Sequence, residues 1–149
     1  MSTALFAVSK ITIKAPAIDV WKAITTPETL QQVMMGMKPV SDWRVGSSLI
    51  WIGRHSNKPE DNAKGVIEAM NVKKELRFTF FFPGYGYPDK PENYNTVKIS
   101  LAEKDGITEV DASQGDFSVF TDGATYQGHS QTFWDGSLKI LKEIVEKND

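Results

Sequence analysis

The side chains best suited to meet a small molecule gather in the last third of the chain. Tyr126, Ser130, Phe133 and Ser137 recur at spacings of three and four residues. At about 100° per residue they share a helical face with Ile140, Leu141 and Ile144. Asp135, Lys139, Lys142, Glu143 and Glu146 take the opposite side, with His129 on one edge of the apolar stripe and Trp134 and Leu138 on the other. Serines at central stripe positions leave volume unfilled and offer hydrogen bonds. Equally, small hydroxyl residues let a helix approach a sheet closely, with each hydroxyl returned to a carbonyl one turn back. Gln114, near the end of an inward strand run with Val110 and Ala112, is a polar anchor for such a site.

Proton chemistry has few carriers here. His129 is placed to donate a hydrogen bond or act as a general base, and the other histidine, His55, sits in the polar turn His55-Ser56-Asn57-Lys58-Pro59. Two histidines without a clustered carboxylate do not make a metal site, so no metal is expected. Asp116 and Asp122 precede the helical pattern and would serve as acid or base if burial raised their pKa values. Aspartates there also cap helices and bend turns, and Asp122-Gly123 reads as a turn. No G-x-S-x-G elbow, phosphate-binding glycine loop or H-E-x-x-H occurs. No cofactor is expected, and nothing in the sequence requires an enzyme.

These residues need elements to hold them. Ile11 and Ile13 alternate with lysines and threonine in a first strand, about Leu5 to Lys14. Ala15-Pro16 breaks it and opens a short helix carrying Val20, Trp21 and Ile24. Thr26-Pro27-Glu28 then gives a cap, a first-turn proline and an acid at the positive helix end. That second short helix runs to about Met35 and stops at Gly36. Strands follow at Val40–Arg44, Ser47–Arg54, Asn62–Met70, Glu75–Phe82, Glu92–Glu103 and Ile107–Val119, with Asp105-Gly106 as a hairpin turn. Leu76, Phe78, Phe80 and Phe82 fall on one face, and Trp51 shares a face with Leu49. The long helix runs from about Thr125 to Lys147. Met34 and Met37 suit an adaptable apolar wall or gate, or routine packing. Tyr85 and Tyr87, between Gly84, Gly86 and Pro88, suit a lid, a protein contact or an exposed loop.

The 149 residues fit one domain. A formal charge of −2 offers no broad attraction to nucleic acid, and no apolar run is long enough to span a membrane. Cysteine is absent, which removes disulfides and thiol catalysis. The N-terminal residues lack the pattern of a signal peptide, so a cytoplasmic protein is expected. A single sheet needs its apolar face covered, and only the last helix is long enough to do it. The expected fold is therefore α+β: a curved antiparallel sheet of six or seven strands wrapped around a long C-terminal helix, with two short helices after the first strand.

Several landmarks in this order resemble a known family. They are Ala15-Pro16 followed by Val20-Trp21-Lys22-Ala23-Ile24-Thr25; Thr26-Pro27-Glu28; Trp43-Arg44-Val45-Gly46; Gly65 with Leu76; Gly106-Ile107-Thr108-Glu109-Val110; and Trp134 with Leu138, Leu141 and Lys142. The whole chain resembles the homologues of the heat-shock-protein-90 ATPase activator, within the START-like (SRPBCC) superfamily. It departs from them at Met34-Met35-Gly36-Met37, where a tryptophan is common, at Ser47 after Gly46, and at Val72. The resemblance implies a helix-grip fold and a pocket, without a shared catalytic set.

Three functions follow as expectations. The first is binding of a small apolar or amphipathic molecule as carrier or sensor, with Met34, Met37, Trp51, Phe78, Phe80, Gln114, Tyr126, His129, Ser130, Phe133 and Ser137 lining the site. The second is a polyketide cyclase or dehydratase using His129, Asp116 or Tyr126. The third is a chaperone-type module meeting a protein partner through the outer sheet face or the Tyr85/Tyr87 loop. Monomer and homodimer both remain open.

Overall fold

A computed structural model describes residues 4–53 and 58–147; His55 and the end of the Ser47–Arg54 run lie outside them. The order is β1 (Ala7–Ile13), α1 (Ala17–Thr25), α2 (Pro27–Val33), β2 (Lys38–Ser41), β3 (Ser48–Ile52), β4 (Ala63–Asn71), β5 (Glu75–Phe80), β6 (Asn95–Lys104), β7 (Ile107–Gly115) and α3 (Gly123–Lys147). The strands form one antiparallel sheet in the order β1-β7-β6-β5-β4-β3-β2. This is the expected helix-grip α+β fold, with seven strands.

Local chemistry accounts for the turns. Asp105 and Gly106 both have positive φ (55° and 78°), as a two-residue hairpin of the right twist requires. Sheet curvature has two identifiable sources. The β4–β5 register shifts between Ile67 and Ala69, and an extra residue in one strand bends and twists it. At Gly65 a Cβ would lie 1.7 Å from the Thr79 carbonyl oxygen, so only glycine allows β4 to press on β5 there. The start of α1 is capped from a distance, its Ala17 N–H donating to Glu103 Oε1 at 2.7 Å.

Some boundaries differ from the sequence reading. The last strand stops at Gly115, and Phe117–Val119 forms a 3-10 turn. The helix begins at Gly123 rather than Thr125. A side chain at 123 would strike the Phe117 carbonyl at 2.1 Å, so glycine lets the helix start pressed against that turn. Just beyond β5, burial no longer follows the alternation of faces. Phe81 is buried on the outer side, stacked on Tyr94 at 5.0 Å, while Phe82 is the more exposed of the two.

The free edge of β1 is covered by α3. Backbone groups of Phe6, Val8, Thr12 and Lys14 bond to side chains of Gln127, Gln131, Lys142 and Glu146. These strand residues share the parity whose backbone points away from β7. The spacing follows from geometry: eight strand steps cover about 26 Å at 3.3 Å each, and nineteen helix steps about 28 Å at 1.5 Å each. A strand that would otherwise template pairing with another chain is thereby occupied. Among the described residues no helix is long and apolar enough to cross a membrane.

Gln131 carries both bonds to Val8, its Oε1 accepting at 3.0 Å and its Nε2 donating at 2.7 Å. Gln131→Ala is expected to cost about 1 kcal/mol in urea unfolding and to speed amide exchange at Val8. Unchanged exchange there would show that α3 does not hold the edge.

Candidate functional site

The sheet supplies the inner wall of the site through its register. Phe78 pairs with Val97, Val97 with Gln114, and Gln114 with Ala7, placing these four in one inward row. All four are buried. The next row toward the open end carries Phe80 opposite Asn95.

Helix α3 presents a stripe rotated from the one its sequence pattern implies. Ser130, Trp134, Ser137, Leu138, Leu141 and Val145 are buried, whereas Tyr126, Phe133, Ile140 and Ile144 are only partly so. Trp134 turns inward because its indole N–H finds a partner: Nε1 donates to Gln114 Oε1 at 2.9 Å. A buried tryptophan is stable when that N–H is satisfied. The Ser130 hydroxyl donates to the same oxygen at 2.9 Å. Gln114 Nε2 donates to Asn95 Oδ1 at 3.4 Å, and Asn95 Nδ2 donates to the Asp116 carbonyl at 3.3 Å. Indole is a donor only, so Trp134 settles which way the Gln114 amide faces.

Between this network and the end of α2 lies a cavity of about 340 Å³, inside the range of small-molecule sites. Met34, Met37, Phe80, Phe82, Tyr85, Val97, Gln114, His129, Ser130, Phe133 and Trp134 line it. Exposure grades the lining: Gln114, Ser130, Trp134, Val97 and Met34 are buried, while His129 and Phe82 are exposed. The lining contains no aspartate, glutamate, lysine or arginine. Met34 and Met37 are brought there by close packing of α2 on α3, where a Cβ on Gly136 would stand 2.7 Å from the Met35 methyl.

Of the residues expected at the site, the structure brings Met34, Met37, Phe80, Gln114, His129, Ser130 and Phe133 together. Four others lie elsewhere. Trp51 and Phe78 pack on each other in the core, ring centroids 5.7 Å apart. Tyr126 stacks on Tyr85 at 3.9 Å in a separate aromatic cluster with Tyr87 and Phe120. Ser137 is fully buried, and its hydroxyl has no partner among the described residues. The two serines thus resolve differently. Ser130 borders the cavity, whereas Ser137, beside Gly136, stands where helix and protein close together. Phe82, Tyr85, Val97 and Trp134 complete the lining without being among the residues expected there, although Phe82 is expected on the face of Phe80 and Tyr85 is one candidate for a lid. Val97 was legible from its alternation with Thr96 and Lys98; Tyr85 needed the fold of its loop.

The acid–base candidates do not assemble. Asp116 accepts the backbone N–H of Leu5 and of Ser118 at 2.8 Å each, and the Ser118 hydroxyl at 2.8 Å. These bonds hold its carboxyl below the usual aspartate range, which suits a structural anion and not a proton donor. Burial, then Tyr87 and Asp122, raise the Tyr126 hydroxyl, keeping it protonated. Tyr85 is likewise raised, by burial first and by Tyr126 second. His129 borders the cavity from its exposed side.

A family model described as "Activator of Hsp90 ATPase homolog 1-like protein" matches residues 14–146. Among solved structures, the chain is similar to ChR145 from Cytophaga hutchinsonii, with 34% identity, 99% of this chain and 98% of that one covered, and a TM-score of 0.80. MLL2253 from Mesorhizobium loti aligns at 18% identity over 97% and 98% of the two chains, with a TM-score of 0.80. The Aha1 dimer from Colwellia psychrerythraea aligns at 17% identity over 95% and 96%, with a TM-score of 0.74. At such identities the last two are likenesses of fold. No curated protein sequence matches the chain.

Two expectations test this geometry. Ser130→Ala removes a bond to Gln114 and is expected to cost about 1 kcal/mol, while Ser137→Ala removes a buried hydroxyl without a partner and is expected to be neutral or stabilising. A thermal-melt series that reversed this order would refute the assignment. The Asp116 carboxyl, depressed in the folded protein, contributes stability that is present above its unfolded pKa of about 3.9 and lost as pH falls through the folded value. Asp116→Asn should therefore lower stability at neutral pH and flatten the acid limb of the stability–pH curve, measured by urea unfolding at a series of pH values.

Proposed function

Since the chain belongs to the Activator of Hsp90 ATPase homolog 1-like family, we propose that it binds a small apolar or amphipathic molecule between α3 and the sheet, as a carrier or sensor. One observation carries this reading. The cavity of about 340 Å³ is walled by aromatic, methionine and valine side chains and has one buried polar cluster at Gln114 and Ser130. Apolar walls supply the driving force for an apolar guest, about 25 cal/mol per Å² removed from water, and a few fixed polar groups orient it. Methionines at the α2 end adapt to guests of differing shape.

A protein-partner role is the second reading, favoured by the family's description. Tyr85 and Tyr87 support it poorly, because both pack against Phe120 and Tyr126. The outer sheet face supports it better, with Val40, Ile52 and Val66 exposed. The fold relative from Colwellia psychrerythraea is described as a dimer, so self-association is the partner reading to measure first, by sedimentation.

The ligand reading is tested with the neutral fluorophore N-phenylnaphthylamine. Saturable binding at one site per chain is expected, and Ser130→Phe, which fills the cavity, should weaken it at least about tenfold while leaving the far-ultraviolet spectrum intact. Equal binding by the filled variant would place the fluorophore outside the cavity and defeat the proposal.

A further inference from the structure

The geometry points to a ligand class: we infer that the guest is uncharged and presents one oxygen acceptor, a carbonyl in the simplest case, to the free amide N–H of Gln114. This rests on the ligand-binding reading above and deepens it. With the amide orientation settled by Trp134, Gln114 Oε1 takes two donors, from Trp134 and Ser130. Its Nε2 carries two N–H groups, and Asn95 receives one of them. The other has no protein acceptor among the described residues. Gln114 is 6% exposed and borders the cavity, so that N–H is removed from bulk water.

A buried amide donor without a partner is costly, and an acceptor on the guest removes the cost. The Ser130 proton is committed to Gln114, which leaves the serine oxygen as an acceptor and makes Gln114 the one side-chain amide donor among the described residues that line the cavity. Asn95 does not replace it, since it is not among the residues that line the cavity. Charge on the guest is disfavoured on independent grounds. No aspartate, glutamate, lysine or arginine lines the cavity, and its one histidine, His129, is on the exposed side, so an ionised head placed at Gln114 would lose its water without gaining a counter-charge. A polar tail belongs at the open end, where His129 is exposed.

Matched competitors test the inference by displacing N-phenylnaphthylamine: benzophenone; its hydrocarbon isostere, with a methylene in place of the carbonyl oxygen; and a carboxylated benzophenone. Benzophenone should displace the fluorophore at about a tenfold lower concentration than the isostere, the value of one hydrogen bond to a buried donor. Gln114→Met, similar in shape and lacking the amide, should bring that ratio toward one. The wild-type ratio decides the matter even if the variant folds poorly. Equal displacement by ketone and isostere in the wild type overturns the Gln114 anchor and leaves the cavity reading standing. Preference for the carboxylated compound overturns the uncharged class. Failure of the fluorophore itself to bind removes the cavity reading, and the anchor with it.

Discussion

Gln114 Oε1 accepts two donors from consecutive turns of α3, and the placement of the helix on the sheet depends on that junction. A carbonyl has two lone pairs, so one oxygen can hold both Ser130 and Trp134. The Trp134 bond turns the large indole inward, where it borders the cavity together with Ser130. If the stripe were centred on Phe133, as its spacing alone implies, the indole N–H would sit among apolar groups without an acceptor. The cost of such a group explains why the helix settles with Phe133 at the side of the cavity, its ring perpendicular to Trp134 at 5.4 Å.

Helix α3 performs two tasks along separate faces. Its buried face closes over the sheet at Leu138, Leu141 and Val145 and stands off at Ser130. Its flank covers the β1 edge with Gln127, Gln131, Lys142 and Glu146. Edge coverage fixes where the helix lies along the strand, because rise per residue in helix and strand makes the pairing spacing definite. A helix so fixed cannot slide to fill the cavity. The open volume is thus a consequence of register as much as of serine's size.

The aromatic cluster of Tyr85, Tyr87, Phe120 and Tyr126 gives the start of the helix a second anchor. Tyr85 belongs to both assemblies, stacked on Tyr126 and bordering the cavity. Between the lid, contact and loop readings of this segment, the structure selects a packed loop that forms part of the wall. Asp89, bonded to Lys64 and Tyr94, ties the loop's far side to the sheet.

By itself the sequence determined the order of elements, the Asp105-Gly106 hairpin, the inward residues of most strands and the long covering helix. Each of these rests on local periodicity or on the backbone preference of a few residues. The helix-grip fold follows from them, because a sheet with one apolar face needs one long cover. Tertiary structure decided the rotation of α3, the roles of the two serines, the removal of Trp51, Phe78 and Tyr126 from the cavity, and the entry of Tyr85. Those outcomes depend on contacts between residues far apart in the chain, such as Gln114 with Trp134 and Gly136 with Met35. Spacing along one element shows which side chains share a face; which of them faces a void depends on what the opposing element brings.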